Sequence, residues 1–262
     1  MEIGYETLLV EISDQIATIR LNSVESMNAM RYQLRVDLLE SLEEVSESDE
    51  VRVVVLTGTG KAFCVGGDLR ELPKLKDAEA ARQTFIHGSE IVLKIREMEK
   101  PVIAAVNGVA LGAGLSLALN CDLIIASEEA IFSQAFLRVA LVPDLGATFI
   151  TPRLIGLQRA KELVFTGRTL TANEMADLGV VNLVVPLKDL ETQTRELALR
   201  IAKAPPKALG MTKRLLNQSL DLTFEEMLSL EQEAQVLCLQ SEEHKERAAA
   251  LYRKTKEQSG RE

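Results

Sequence analysis

Two glycine-rich segments contain the residues of this sequence best suited to chemistry. The first, FCVGGD at 63–68, follows a β-branched run, and the second, GVALGAG at 108–114, opens directly into a helical pattern. A helix N-terminus has unpaired backbone N–H groups and a partial positive potential, so it can receive an oxyanion. Two such donors from neighbouring segments would hold one carbonyl oxygen while negative charge develops on it. The alternative is that both segments are tight turns in which glycine supplies a positive φ.

Nucleotide-binding motifs are not met at either segment or at the glycine-rich stretch GTGKA of residues 58–62. That stretch lacks the upstream glycine of a P-loop and the Ser or Thr that follows the P-loop lysine. In the second segment, Leu117 stands where a dinucleotide-binding fingerprint has its third glycine. The glycines therefore indicate exposed backbone donors rather than a phosphate cradle.

The charge and the cysteine content disfavour several other kinds of site. The 262 residues include 30 Lys and Arg against 39 Asp and Glu, a net charge of -9, which disfavours binding to phosphate backbones or anionic membranes. Cys64, Cys121 and Cys238 form no CxxC pair, so neither a disulfide framework nor a metal site is expected. No secretory leader or stretch of about 18 apolar residues is recognisable. We expect a cytoplasmic protein with no nucleic-acid or membrane partner and no metal.

The apolar patterns predict an α/β protein in which helices cover layers of strands. Helices are predicted at 30–45, 86–95 and 115–120, where apolar residues recur at helical intervals. Strands are predicted at 7–12 and 16–21, as a hairpin or a pair of edge strands, and at 51–56, 102–106, 123–126, 131–132 and 180–185. After Pro152, one helical pattern ends at Gly167, and another begins at a Thr171 cap and ends at Gly179.

The last part of the chain is predicted to be a separate helical region. Pro205-Pro206 breaks a helix that starts near Asp189, and residues 207–257 have a wide stripe of leucines at helical spacing. Such a segment is too long for a solvated tail and too apolar to stand alone, so we expect it to pack on the core or on a neighbouring subunit. The prediction is a core of residues 1–204 followed by a helical oligomerisation region of residues 205–262.

Several segments resemble the enoyl-CoA hydratase/isomerase, or crotonase, superfamily. They are KAFCVGGDL at 61–69, KPVIAAVNGVALGAGLSLALNCDLIIAS at 100–127, LVPDLGATFITPRLIG at 141–156 and, further on, AKELVFTG, ANEMADLGVVNLVV and EEHKERAAAL. The resemblance implies an α/β crotonase-like spiral of ββα units with a helical C-terminal trimerisation region, assembled as a homotrimer or hexamer. It also implies an acyl-CoA thioester substrate, no further cofactor, and an oxyanion hole formed by the backbone N–H groups of Gly67 and Ala113.

The acid/base positions of the family indicate which reaction to expect. By this resemblance, the two glutamates of the family's hydratases are replaced by Ser116 and Phe136, which cannot together hold and activate a water. Asp144 matches the position at which several isomerase branches hold a single carboxylate near the γ carbon of the substrate. One carboxylate suits removal of a proton beside the thioester and its return at another carbon. The alternative for Asp144 is a cap of the helix that follows.

The stretch IFSQAFLRVALVPDLGATFITPRLIG at 131–156 most resembles the isomerases that act on 1,2-epoxyphenylacetyl-CoA. This resemblance predicts an acyl-CoA isomerase with Asp144 as the catalytic residue, acting on a β,γ double bond or on a ring epoxide. A hydratase, another crotonase activity and a non-catalytic acyl-CoA-binding protein are the alternatives. The substrate-binding residues that the resemblance implies are Gly66, Asp68, Leu69, Ser116, Phe136 and Leu141.

Three further features of the sequence lie outside these assignments. His87 lies on a predicted helix whose family counterparts often line the acyl pocket, and it is expected either to contact the substrate or to pack. Cys64 is expected to be a buried thiol rather than a nucleophile. The C-terminal YRKTKEQSGRE lacks the family's Pro-x-Phe pattern, so contacts of Lys254 or Lys256 with a CoA phosphate stay open.

Overall fold

The computed structural model describes residues 2–71 and 77–259, and the chain divides into two compact units. The first is Met1–Ala202 and the second is Lys203–Glu262, so the boundary lies two residues before the predicted one. The strands of the first unit are β1 (Glu2–Gly4), β2 (Leu8–Ser13), β3 (Ile16–Leu21), β4 (Val53–Gly58), β5 (Ala62–Cys64), β6 (Val102–Val106), β7 (Val109–Leu111), β8 (Leu123–Ser127), β9 (Ile131–Ser133), β10 (Leu170–Thr171) and β11 (Leu183–Val185). Its α-helices are α1 (Tyr32–Glu47), α2 (Ala78–Glu97), α3 (Ala113–Leu119), α4 (Ala147–Ile155), α5 (Leu157–Thr166), α6 (Ala172–Asp177) and α7 (Leu190–Ala202).

The larger sheet has the strand order β1-β2-β3-β4-β6-β8-β11. Its strands run parallel from β3 onward, whereas β1, β2 and β3 are antiparallel neighbours. The predicted hairpin of β2 and β3 is confirmed, and the two residues of its turn, Asp14 and Gln15, both have positive φ. Positive φ at both central positions is typical of the turn that matches the twist of the flanking strands.

The middle strands of this sheet are buried on both faces. Val53 and Val55 of β4 belong to a core cluster that α7 completes. Val54 and Leu56 belong to the other cluster, which includes the buried face of α1. Burial on two faces explains why this strand is an unbroken apolar run in the sequence rather than an alternating one.

A smaller sheet has the order β10-β9-β7-β5 and places the two glycine-rich segments side by side. Its strands β5, β7 and β9 are parallel. Both β4-β5-α2 and β6-β7-α3 contribute one strand to each sheet and then a helix, which is the ββα repeat that the resemblance implied. The sequence analysis missed β1, β5, β7 and β10, which have two or three residues each. Strands β5 and β7 lie in glycine-rich stretches and are too short to show a periodic pattern.

The helices differ from the predicted ones at one start and at one break. The helix predicted from residue 86 begins at Ala78, because the Asp77 side chain caps it by accepting from a first-turn N–H at 2.8 Å. The single pattern predicted after Pro152 is wrong. Helix α4 begins at Ala147, includes Pro152 and ends at Ile155, and Gly156, with a φ of 80°, separates it from α5. Glycine adopts this conformation without steric cost, so the chain turns inside a stretch whose apolar spacing is continuous.

The second unit consists of α8 (Pro206–Gln218), α9 (Phe224–Leu239) and α10 (Glu242–Ser259). Helix α9 starts with a capping box of Thr223 and Glu226. Leu216, Leu220 and Phe224 are exposed, so the leucine stripe is open in a single chain and the trimer or hexamer stays a prediction. In the described ranges, no helix is long and apolar enough to cross a membrane.

Candidate active site

A cavity of about 200 Å³ lies in the first unit, where the glycine-rich segments meet α1, α2 and the loop before α4. Its wall is mostly apolar, and Arg35 and Asp144 are its charged residues in the part of the chain that the structure describes. The lining residues are Met30, Arg35, Val65, Gly67, Leu69, Thr84, Phe85, Gly88, Leu111, Gly112, Ala113, Ala135, Phe136, Val139, Leu141, Asp144 and Leu145. Six of the nine predicted site residues are among them, and Gly66, Asp68 and Ser116 are not.

The two glycine-rich segments approach each other through backbone atoms. A Cβ added to Gly66, whose φ is +84°, would lie 2.7 Å from the Leu111 carbonyl oxygen and 3.1 Å from the Ala113 nitrogen. A Cβ added to Gly114 would lie 2.0 Å from the Cys64 carbonyl oxygen. Both glycines are therefore required because two distant parts of the chain approach each other closely at these positions. The alternative of two simple tight turns does not account for this approach.

The backbone N–H groups of Gly67 and Ala113 are available to a ligand. Both residues line the cavity, and Ala113 is the first residue of α3. Within residues 2–71 and 77–259, neither N–H donates to a protein acceptor. Two unpaired donors on one cavity wall are what stabilisation of an oxyanion requires.

Residues 27–31, which the sequence analysis did not single out, hold the first glycine-rich segment in place. The Met30 N–H donates to the Gly66 carbonyl at 2.8 Å. Asn28 is fully buried and donates from its side-chain amide to the Ala62 carbonyl at 2.8 Å. The one signal for this support in the sequence is a polar Asn28 between apolar neighbours.

Asp68 anchors the same segment and does not line the cavity. Its side chain is 6% exposed and forms ion pairs with Arg31 at 2.7 Å and Arg70 at 2.9 Å. Hydrogen bonds from Arg70, and then from Arg31, hold the pKa of Asp68 well below its usual range. The resemblance implied a substrate contact for Asp68. In the structure its carboxylate pairs with Arg31 and Arg70 directly after Gly67, and the substrate contact stays a prediction.

Asp144 lies on the cavity wall in the loop that precedes α4. The Asn120 side-chain amide holds this loop by donating to the Leu145 carbonyl at 2.8 Å. The residue that caps α4 is Gly146, and no side chain caps that helix, so the alternative assignment of Asp144 as a helix cap is not what the structure shows. The Oδ1 atom of Asp144 is buried and has no hydrogen-bond partner among the described residues.

The surroundings of Asp144 make it a stronger base than an ordinary aspartate. Burial raises the pKa of its carboxyl from 3.8 to about 6, while a backbone hydrogen bond and the positive charge of Arg35 act in the opposite direction. A group with this pKa is ionised in most molecules at neutral pH and accepts a proton readily. Asp144 is therefore chemically suited to move a proton.

Phe136 and Leu141 line the cavity, whereas Ser116 does not. The ring of Phe136 lies 3.7–3.9 Å from the point where Gly112 would have a Cβ. Ser116 is fully buried in α3, and its hydroxyl donates to the Gly112 carbonyl at 3.1 Å. The hydroxyl of Ser116 is thus engaged at the start of its own helix, and its substrate contact stays a prediction. Gly66 is the third predicted site residue that does not line the cavity, and it lies close to the backbone of Leu111 and Ala113.

The structure also shows the surroundings of His87 and Cys64. His87 packs against Tyr32, with ring centroids 6.0 Å apart, and is not a lining residue, although its helix contributes three others. Cys64 is fully buried, and burial raises its pKa to about 12, which suits an unreactive thiol. The sequence analysis missed Arg35, because an arginine on an amphipathic helix is usually solvated.

Comparison with known proteins identifies the family of this chain. The model of the enoyl-CoA hydratase/isomerase family matches residues 11–259. The chain belongs to the enoyl-CoA hydratase/isomerase family. The resemblance found in the sequence is therefore confirmed, and the crotonase-like α/β fold is confirmed with it.

Relatives in the enoyl-CoA hydratase/isomerase family are named for different reactions. The chain is 33% identical over 252 residues to the 1,2-epoxyphenylacetyl-CoA isomerase of Escherichia coli, and the alignment covers 95% of this chain and 96% of that protein. It is 32% identical over 250 residues to the short-chain-enoyl-CoA hydratase of Clostridium acetobutylicum, with 95% of each covered. A crystal structure of enoyl-CoA hydratase/isomerase from Cupriavidus metallidurans superposes with a TM-score of 0.91 at 39% identity, over 96% of this chain and 95% of that one. These names support the family's activity and do not select one reaction.

The cavity of this enoyl-CoA hydratase/isomerase family member has few groups that could take part in chemistry. On the described wall, Asp144 is the carboxylate, Arg35 is the cation and Thr84 is the hydroxyl. No group of three or more His, Cys, Asp or Glu within the described residues is arranged to hold a metal ion. The Lys254 side chain lies outside the described part and Lys256 is exposed, so their contacts with a CoA phosphate stay open. Among the described lining residues, the cavity thus has one carboxylate and two unpaired backbone N–H groups.

Proposed function

We propose that this protein is an acyl-CoA isomerase that works through a thioester enolate. The observation that supports this most is that the described lining of one cavity includes a single carboxylate, Asp144, and two unpaired N–H groups, those of Gly67 and Ala113. The raised pKa of Asp144 suits a base that must also return its proton. The relative from Escherichia coli is named for an isomerase reaction on an acyl-CoA.

In the proposed reaction, the thioester carbonyl oxygen accepts hydrogen bonds from the N–H groups of Gly67 and Ala113. Asp144 removes a proton from the carbon beside the thioester, and the electron pair of that C–H bond forms an enolate whose charge the two N–H groups stabilise. With a β,γ-unsaturated substrate, the enolate is conjugated with the double bond. Asp144 then returns the proton to the γ carbon, and the double bond lies at α,β. Substrate and product are isomers, so this reaction consumes no redox equivalent and no cofactor beyond the CoA of the substrate.

Ring-epoxide isomerisation of 1,2-epoxyphenylacetyl-CoA is the other isomerase reaction included in the proposal. It is the substrate named for the Escherichia coli relative. The apolar wall that includes Phe136 and Leu141 suits either an alkenyl chain or a ring.

A hydratase is the second candidate, because a relative of that name is 32% identical over 95% of this chain. Water addition needs two groups that hold and activate a water, and Ser116 and Phe136 occupy the positions at which the family's hydratases have glutamates. The Ser116 hydroxyl is engaged with the Gly112 carbonyl, and Phe136 has no polar atom in its side chain. A non-catalytic acyl-CoA-binding protein is disfavoured, because it has no use for a partly buried carboxylate in the same cavity as two unpaired N–H groups.

The proposal includes assembly as a homotrimer or hexamer through the second unit, in the cytoplasm. Leu220 and Phe224 are 68% and 73% exposed in the single chain, and apolar side chains of this size are usually covered by a partner. Cys64, Cys121 and Cys238 are free thiols, which suits a reducing compartment. Light scattering at micromolar concentration is expected to give three or six times the chain mass, and the mass of one chain would contradict this.

A panel of three thioesters tests the proposed reaction. The protein is incubated in aqueous buffer with a β,γ-enoyl-CoA, crotonyl-CoA or 1,2-epoxyphenylacetyl-CoA. The products are separated by chromatography, and their masses are measured by mass spectrometry. An isomerase gives a product of unchanged mass from the first or the third thioester. Faster conversion of crotonyl-CoA into a product heavier by one water would contradict the proposal and favour the hydratase.

A further inference from the structure

Arg35 is a cation on the cavity wall that the proposed proton transfer does not use. It projects from α1 onto the same wall as Asp144. Its Nη1 donates to the Met30 carbonyl, and its Nε is buried without a partner among the described residues. A guanidinium has five N–H donors, so most of the hydrogen-bonding capacity of Arg35 has no acceptor in the described part of the protein.

The guanidinium is held by the same backbone that holds the oxyanion donors. Met30 donates its N–H to the Gly66 carbonyl at 2.8 Å, and its own carbonyl accepts from Arg35. One residue therefore links Arg35 to the segment that presents Gly67. Arg35 therefore lines the cavity from a position fixed relative to the segment that presents Gly67.

The charges near Arg35 leave it free to bind a ligand. Arg35 and Asp144 influence each other electrostatically, yet the Oδ1 of Asp144 has no hydrogen-bond partner and the two described side chains form no direct ion pair. Burial lowers the pKa of Arg35, and the charges of Glu71, Tyr32 and Asp144 oppose that change. A guanidinium stays protonated at neutral pH, so the cavity contains a half-buried cation that is separate from the proposed base.

We propose that Arg35 selects acyl-CoA substrates whose acyl group has a neutral oxygen acceptor, such as an epoxide, ether or ketone oxygen, over hydrocarbon acyl groups. This inference rests on the proposed function, because it assigns the acyl substituent of the same site. A hydrogen bond from a charged donor to a ligand oxygen is stronger than one between neutral groups. A hydrocarbon chain would displace the water that is hydrogen-bonded to the guanidinium and offer no acceptor in its place, which is unfavourable. A carboxylate is a poorer ligand than a neutral oxygen, because Asp144 and Glu71 are negative charges close to Arg35.

Binding of saturated thioesters tests this inference without depending on turnover. Isothermal titration calorimetry of the full chain compares hexanoyl-CoA with 4-oxohexanoyl-CoA and 5-oxohexanoyl-CoA, which have a ketone in place of one methylene. Adipoyl-CoA supplies the carboxylate. At least one oxo thioester is expected to bind roughly 10-fold more tightly than hexanoyl-CoA, and more tightly than adipoyl-CoA.

Two arginine variants show whether the preference comes from Arg35. Arg35→Met keeps much of the side-chain length without the charge, and it is expected to bring the ratio of the oxo and hexanoyl Kd values to about 1. Arg82→Met is the matched control, because Arg82 is exposed on α2 and pairs with Glu79. It is expected to keep the ratio of the wild-type protein.

Four results would overturn the inference. Equal affinity of the wild-type protein for hexanoyl-CoA and both oxo thioesters would do so even if Arg35→Met failed to fold. Tighter binding of an oxo thioester than of hexanoyl-CoA by folded Arg35→Met would also overturn it. Tighter binding of adipoyl-CoA than of both oxo thioesters would show that the preferred acceptor is charged and not neutral. If no thioester binds, the proposed function itself fails, whereas equal binding of all four leaves the proposed function in place.

Discussion

The side-chain amide of Asn120 donates to the carbonyl of Leu145 at 2.8 Å and thereby connects the end of α3 to the residue that follows Asp144. The same amide donates to the Ser116 carbonyl at 2.7 Å. Leu145 has a φ of 50°, a left-handed conformation that residues other than glycine rarely adopt. The bond from Asn120 therefore stabilises a turn that the local sequence disfavours, and this turn places the proposed base.

Replacement of Asn120 by alanine is expected to weaken both the fold and the reaction. Two buried carbonyls lose their donor, so the free energy of unfolding should fall by about 1–3 kcal/mol. Because the turn at Leu145 is released, kcat should fall while the affinity for acyl-CoA changes less. Urea unfolding and steady-state kinetics measure the two effects. Asn173→Ala, at an exposed position of α6, is the control and should change stability by less than about 0.5 kcal/mol.

Replacement of Gly114 by alanine tests the contact between the two glycine-rich segments. The new Cβ would lie 2.0 Å from the Cys64 carbonyl oxygen, so the segments must move apart. We expect a loss of stability of about 3 kcal/mol or more, measured by urea unfolding, together with loss of activity. Gly4→Ala is the control, since no atom lies within 4 Å of its added Cβ. Equal stability of the two variants would show that the segments do not meet as described.

Apart from the three-residue β1, the strands of the main sheet are predicted from the sequence, because their physical signal is local. The run at 53–56 is apolar throughout since both of its faces are buried, and the hairpin around Asp14 is a short turn between two apolar runs. The strands Ala62–Cys64 and Val109–Leu111 are not predictable in this way, because pairing between distant segments makes them strands. The break between α4 and α5 at Gly156 is not predictable either, because the apolar spacing of the sequence continues through it.

The candidate site is predicted in part. The motif positions of Gly67, Ala113 and Asp144 identify residues that line one cavity. Arg35 is not predictable, because nothing in the spacing of α1 shows that this arginine reaches the cavity rather than solvent. Asp68 illustrates the opposite case, in which a residue of the right motif forms ion pairs behind the wall.

The pH dependence of kcat/KM should report the ionisation of Asp144. The base acts in its deprotonated form, and its pKa is about 6 in the folded protein. Activity should therefore rise as the pH increases through about 6 and level off above about 7. Isomerisation of a β,γ-enoyl-CoA in a series of buffers between about pH 5 and 8 measures the profile. A flat profile over that range would be inconsistent with Asp144 as the base.

Asp144 should also reduce the stability of the protein at neutral pH. Because its folded-state pKa is raised from 3.8 to about 6, the folded chain binds more protons than the unfolded chain in that range, and the free energy of unfolding falls as the pH rises through it. Asp144→Asn should then be more stable than the wild-type protein at about pH 8, by on the order of 1 kcal/mol for this partly buried group. The gain should shrink toward about pH 4. Glu43→Gln, at an exposed position of α1, should show neither effect in the same urea titrations.

The most direct test of the central claim is the isomerisation rate of Asp144→Asn with a β,γ-enoyl-CoA, measured beside Asp144→Glu. Asparagine keeps the size of the side chain and removes the base, so turnover should fall by roughly 100-fold or more, with a much smaller loss of acyl-CoA affinity. Glutamate keeps the carboxylate and displaces it by one methylene, so it should retain more activity than asparagine. Near-normal double-bond isomerisation by folded Asp144→Asn would contradict the account.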